Sequence, residues 1–168
     1  MLRLKYYRGD IIRALQFHKI VWLLCSRAEF RLRDNKEYYH TLKTEQYPEY
    51  YHKVVEADVK RTLEEKSEEN QEKLSNILRT IAKRNPFVGY CQGMNFIVNF
   101  LVIMRFEEEE AFWIMCALLE EILPPNYYTN MLGIAVDLKL IEVFLRLRRP
   151  RLYAKLNALN INLSIFSL

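Results

Sequence analysis

The sequence predicts an all-α, multi-helical domain, and three observations carry that prediction. Apolar residues recur at three- and four-residue spacing along nearly the whole chain, and no segment alternates with a clean period of two. Glycine is scarce, at 4 of 168 residues, and only 5 prolines accompany it, too little punctuation for a turn-rich β fold. Hydrophobic residues make up 51% and charged residues 27%, enough to bury one sizeable core without disulfide or metal staples.

Taken in order, Asp10 is a candidate N-cap for a helix over about 10–32, with Ile11, Leu15, His18, Trp22 and Cys25 on its apolar face. On that face His18 reads as a core histidine. A tyrosine-rich segment, 37–53, follows and is interrupted by Pro48. Val54 to Leu63 is helix-like, with Val55, Val59 and Leu63 turned inward. Glu64 to Lys73 holds five Glu and two Lys, the pattern of a solvated face or loop. Within it, Ser67 reads as an N-cap, with Glu68 and Glu69 favourably placed in the first turn. Leu74, Ile77, Leu78 and Ile81 give that helix its buried face, and it stops at Asn85-Pro86, as the residue before proline requires. A loop over 85–93 feeds a helix over about 93–105 that is apolar nearly all round and so predicted to be central. Glu107 to Leu123 is a further amphipathic helix, ended by Pro124-Pro125. Leu132 to Arg148 is another, closed by Pro150, and Arg151 to Leu168 reads as a short helix and then an apolar run.

Several function classes find no support. The net charge of +4, from 25 Lys and Arg against 21 Asp and Glu, is too small to suggest a nucleic-acid face, so no nucleic-acid partner is expected. Three cysteines, Cys25, Cys91 and Cys116, form no CxxC and read as buried thiols of a reducing compartment. No apolar core precedes Asp10, so no signal peptide is read. The longest apolar run, Phe96 to Met104, is interrupted by Asn99 and falls short of the ~20 residues of a membrane span. A soluble, cytoplasmic protein is the expectation. Phosphate-cradling glycine motifs, HExxH and GxSxG are all missing. Arg146, Arg148, Arg149 and Arg151 cluster at a helix C-terminus, where the dipole favours cations; structural use is the preferred reading, with a patch for acidic partners or lipid head groups as the alternative.

One local duplication is real: Glu37-Tyr38-Tyr39-His40 and Glu49-Tyr50-Tyr51-His52. Paired Glu-x-x-His motifs occur in helical di-iron proteins, where further helices each add a Glu. Here Pro48 and a short spacer separate the two, so tyrosine-rich packing is the preferred reading, with a di-iron protein as the remote alternative.

Two further features are weak singly. In Val55-Glu56-Ala57-Asp58-Val59-Lys60-Arg61-Thr62, Val55 and Val59 face inward, while Asp58 stands one turn before Arg61 and can orient its guanidinium. Asp58 and Thr62 share a neighbouring stripe. In Asn85-Pro86-Phe87-Val88-Gly89-Tyr90-Cys91-Gln92-Gly93-Met94-Asn95, a polar Gln92 sits in a glycine-bracketed loop just before the most apolar helix. Loops on rigid helices are where functional side chains concentrate.

Together and in this order, Val55-x-x-Asp58-x-x-Arg61-Thr62 and Tyr90-Cys91-Gln92-Gly93-Met94-Asn95 resemble the two signature motifs of the TBC-domain family, the GTPase-activating proteins of Rab GTPases. Val21-Trp22, Phe112-Trp113, Tyr127-Tyr128 and the stretch around Pro150 extend the resemblance from about residue 10 onward. It implies a TBC-type fold and a role in vesicle trafficking. The chain would be no enzyme alone but an activator of a GTP-bound Rab, with Arg61 as an arginine finger and Gln92 as a glutamine finger. Asp58 and Thr62 would hold the Arg61 segment; Tyr90, Gly93 and Asn95 would fix the Gln92 turn; Met94 would pack in the core. No metal or cofactor of its own is implied, since the GTPase carries GTP and Mg²⁺. Membrane association would come only through partners, peripherally on endomembranes.

Departures from the family pattern are His18, where an Arg is common, and Lys60, where a Pro often precedes the finger. Asn160 to Leu168 looks like the lead-in to a Trp-Phe segment that does not follow, so 1–168 reads as a TBC domain lacking C-terminal helices. Leu163, Ile165, Phe166 and Leu168 would then be uncovered. A catalytically impaired Rab-binding scaffold is the corresponding alternative.

Overall fold

The computed structural model describes residues 8–62, 67–125, 127–129 and 132–163, and every regular element among them is helical. The helices are α1 (Arg8–Cys25), α2 (Ala28–Asp34), α3 (Tyr38–Thr44), α4 (Glu49–Thr62), α5 (Glu68–Arg84), α6 (Met94–Ile103), α7 (Glu108–Ala117), α8 (Leu132–Arg148) and α9 (Pro150–Ala158). A π-helical turn, Leu118–Ile122, continues α7.

The first predicted helix is two. Arg27 takes a left-handed conformation, φ 57°, and Ser26 closes the break. Its hydroxyl donates to the Trp22 carbonyl at 2.7 Å and accepts the Ala28 N–H at 3.3 Å, so a local side-chain bond replaces the helical ladder. His18 and Cys25 are exposed rather than buried, because only part of α1 meets the body of the domain. Pro48 divides the tyrosine-rich segment into α3 and α4, and its carbonyl accepts the His52 N–H at 3.3 Å. Leu63 lies outside the described residues.

The start of α5 follows its capping signal: Ser67 Oγ accepts the Asn70 N–H at 3.4 Å. Leu74, Ile77, Leu78 and Ile81 are fully buried, and α5 packs against α3, α4, α6 and α7. It is therefore the central helix. The expectation for α6 holds on one face only. Met94, Val98, Leu101 and Val102 are buried, whereas Phe96, Phe100 and Ile103 are exposed, since helices cover one side of α6 and not the other. Ala111 through Ala117 of α7 are buried without exception. Pro150 opens α9 at its first turn instead of merely closing α8, a position where its missing N–H costs nothing.

Two polar ties lock the body. Glu108 accepts from Tyr39 Oη at 2.8 Å, Lys43 Nζ at 2.7 Å and Asn76 Nδ2 at 3.3 Å, joining α3 and α5 to α7. Burial pushes the Glu108 carboxyl up, but these donors outweigh it and hold the group below the ordinary carboxylate range. Glu120, on the π turn, takes both Arg84 Nε (2.7 Å) and Nη2 (3.1 Å), with Arg31 Nη1 at 2.9 Å. The Arg84 guanidinium also stacks on the rings of Tyr38 and Trp113, 5.2 and 5.1 Å from their centroids.

The α8–α9 pair is different. No residue of either helix is buried, and the two pack on each other. Tyr127 fastens α8 to its entry loop: its hydroxyl donates to Asp137 at 2.6 Å and its carbonyl accepts the Gly133 N–H at 3.1 Å. Ile165, Phe166 and Leu168 lie outside the described residues.

In the duplicated motif the tyrosines pack, Tyr39 in the core and Tyr51 against it, while Glu49 and His40 face solvent. Tyr39 is fully buried, His52 Nε2 lies 3.2 Å from Arg79, and Glu49 pairs with Lys53 at 3.0 Å. Among the described residues, no three His, Cys, Asp or Glu side chains gather as metal ligands.

Candidate functional site

The site lies where the C-terminal end of α4 meets the loop before α6. Val55 and Val59 are buried against the core, as predicted, and this rotates Asp58 and Thr62 onto an equally buried face. Arg61, one residue further round, projects outward. Its side chain is 63% exposed while that of Asp58 is 3% exposed, and an Arg61 Nη2–Asp58 Oδ1 ion pair joins them.

The other Asp58 oxygen, Oδ2, accepts the Tyr90 hydroxyl at 2.6 Å. Tyr90 shares that hydrogen with Asn95 Oδ1 at 3.2 Å. Asn95 Nδ2 donates to Thr62 Oγ1 at 2.6 Å, and the Thr62 hydroxyl donates to the Asp58 carbonyl at 2.5 Å. A closed polar circuit thus runs Asp58–Tyr90–Asn95–Thr62 and back. Asp58, Tyr90, Asn95 and Thr62 are all buried, so each bond forms away from competing water. Burial, and then the bond to Asp58, push the Tyr90 phenol well above its ordinary range, so it stays a protonated donor.

Asn95 Oδ1 also accepts the Gly93 N–H at 2.9 Å, closing the turn that leads into α6. Gly93 has φ +101°, a conformation L side chains rarely adopt, which is why glycine stands there. Cys91 and Met94 are buried on either side, and burial pushes the Cys91 thiol up. Between them Gln92 is exposed and lines a cleft of about 360 Å³ together with Tyr127, Tyr128, Ile134 and Leu138. The structure therefore gathers Asp58, Thr62, Tyr90 and Asn95 into one buried assembly, with Gly93 half-buried at its edge, and sets Arg61 and Gln92 on its solvent side. Cys91 and Met94 are structural.

One contact escapes sequence reasoning. Tyr51, on α4, abuts Gly89 in the same loop. The duplicated Glu-Tyr-Tyr-His motif marked the residue, but its partner is 38 positions away and carries no local signal.

Comparison with known proteins places the chain in a family. The Rab-GTPase-TBC domain profile matches residues 16–168. The chain belongs to the Rab-GTPase-TBC domain family. It is 36% identical over 141 residues to growth hormone-regulated TBC protein 1-A of Danio rerio, covering 80% of this chain and 40% of that protein. It is 31% identical over 164 residues to growth hormone-regulated TBC protein 1 of Homo sapiens, covering 94% of this chain and 48% of that protein. The solved structure of the Chlamydomonas flagellar RabGAP TBC domain superposes with a TM-score of 0.70 at 25% identity, covering 94% of this chain and 56% of that one. The chain thus spans about half the length of the relatives it matches.

Proposed function

We propose that the chain is a GTPase activator that completes the active site of a GTP-loaded Rab with Arg61 and Gln92. The observation that carries this reading is the pairing of two exposed, chemically apt side chains with one buried polar circuit. Both side chains reach solvent, Arg61 while tethered to Asp58 through one guanidinium nitrogen and Gln92 from the loop that Tyr90 and Asn95 hold.

Phosphoryl transfer asks for positioning and charge stabilisation more than covalent help. The Arg61 guanidinium presents five N–H donors in a planar fork, of which the contact with Asp58 engages one group. The remaining donors can face charge developing between β- and γ-phosphates, and the Asp58 tether reduces the conformational freedom lost on docking. Gln92 offers both a carbonyl and an amide, so it can hold the attacking water while donating to a phosphate oxygen. An arginine finger contributes about 10³–10⁵ in rate, roughly 4–7 kcal/mol. GTP and Mg²⁺ belong to the Rab, and the chain itself needs no cofactor. Action on endomembranes would come through the Rab; no helix among the described residues is long and apolar enough to cross a membrane.

Binding to a transition-state mimic tests the reading. Rab loaded with GDP and aluminium fluoride should bind the chain at least tenfold more tightly than Rab loaded with a non-hydrolysable GTP analogue, by the order of preference expected for such mimics. Arg61→Ala and Gln92→Ala should abolish that preference while leaving the weaker complex intact. Equal affinity for both loaded forms, unchanged by either substitution, would point to a docking scaffold and sink the catalytic reading.

A further inference from the structure

We propose that Tyr51 is a positioning residue for Gln92, acting through Gly89, so that α4 both carries Arg61 and sets the place of Gln92. The proposal rests on the functional reading above and adds a residue to it.

The loop from Asn85 to Gly93 is closed at its start by the Asn85 carbonyl, which accepts Val88 N–H at 3.1 Å and Gly89 N–H at 2.7 Å. The chain then turns at Gly89 with φ +64°. A Cβ on Gly89 would stand 3.1 Å from both Cε1 and Oη of Tyr51, so the tyrosine ring lies against the bare face of the glycine. Two requirements thus fall on one residue: a left-handed backbone and no side chain. The ring is itself seated. Tyr51 packs against the core, and Tyr47 lies beside it with centroids 5.7 Å apart.

One residue further on, Tyr90 is bonded to Asp58. Helix α4 therefore meets the loop at two points, through Tyr51 and Asp58, which are seven residues or about 10 Å apart along the helix. Two anchors on one rigid element fix a loop's direction as well as its position, whereas one leaves it free to pivot. Gln92 stands two residues beyond Tyr90, and on its far side Gly93 N–H is held by Asn95 Oδ1. Arg61 stands three residues beyond Asp58 on the same helix, so the separation of the two fingers is set by α4. Catalysis by two groups on one reacting centre is steep in such geometry.

The test is single-turnover GTP hydrolysis by a Rab over a range of chain concentrations. Tyr51→Ala should lower the maximal rate roughly tenfold or more while shifting the half-saturating concentration less than about twofold; Tyr51→Phe, which keeps the ring, should stay within about twofold of wild type. In a Gln92→Ala background, Tyr51→Ala should add little, because its effect passes through Gln92. An equal further loss in that background, or an unchanged maximal rate, would overturn the proposal. Should Tyr51→Ala not fold, Tyr51→Leu carries the same comparison.

Amide hydrogen exchange separates this proposal from the functional reading. Tyr51→Ala should speed exchange over residues 89–93 and leave α7 unchanged, and equal exchange over 89–93 would overturn it whatever the activity. A wild-type chain that accelerates no Rab would instead sink the functional reading and, with it, the positioning of a catalytic Gln92 by Tyr51.

Discussion

The Tyr90 hydroxyl donates to the Asp58 carboxylate at 2.6 Å, bridging α4 and the loop before α6 across 32 residues of sequence. Both partners are buried. This bond joins into one unit two motifs that are far apart in the chain, the helix end that carries Arg61 and the loop that carries Gln92.

Removing the hydroxyl should therefore be costly. Tyr90→Phe keeps the ring but leaves Asp58 Oδ2 without its donor, and should lower unfolding free energy by about 1–3 kcal/mol in urea denaturation. Asn95→Asp should be worse than Asn95→Ala. It replaces the donor facing Thr62 with an acceptor and adds a negative charge beside Asp58. A Tyr90→Phe variant as stable as wild type would contradict the circuit.

Gly93 offers a test of backbone conformation separate from packing. A Cβ there would meet nothing within 4 Å, yet φ is +101°. Gly93→Ala should cost about 1–3 kcal/mol by strain alone. Chemical denaturation measures this directly, and neutrality would mean that the turn relaxes at no cost.

Acid should weaken the fold through Glu108 and Glu120. Both carboxyls are held below their ordinary value of 4.5: burial opposes this, and is outweighed by donors from Lys43, Tyr39 and Asn76 for Glu108, and from Arg84 and Arg31 for Glu120. A lowered folded-state pKa gives stability that is fully present above the unfolded value and is lost as pH falls through the folded one. The melting temperature should hold between about pH 7 and 5 and drop below about 4.5. In Glu108→Gln the plateau should be lower and the acid drop smaller. An acid drop of wild-type size in a Glu108→Gln, Glu120→Gln double variant would contradict the assignment.

Most of the helices were legible because their signals are local. Ser67 before Glu68 and Glu69, the 3.6-residue period of Leu74 to Ile81, and Asn85-Pro86 each fix an end or a face within a few residues. The break after Cys25 was not legible, because Ser26-Arg27 contains neither Gly nor Pro and the left-handed turn at Arg27 is held by a serine hydroxyl folding back. The exposed face of α6 was hidden for a different reason: apolar composition cannot tell how many neighbours a helix will have. At the site, spacing alone placed Asp58 one turn from Arg61 and Gln92 in a loop. Joining the two required the family resemblance, since no local pattern announces that Tyr90 reaches Asp58. Tyr51 and Gly89 were out of reach for the same reason.

Rate measurements on Arg61 bear most directly on the central claim. Single-turnover GTP hydrolysis should be followed across a panel of Rabs with the folded wild type, Arg61→Ala, Arg61→Lys and Gln92→Ala in parallel. At least one Rab should be accelerated by the wild type, with the effect lost in both alanine variants. Arg61→Lys keeps the charge and loses the planar fork, and should fall by about two orders of magnitude or more. Acceleration that survives Arg61→Ala would contradict the account.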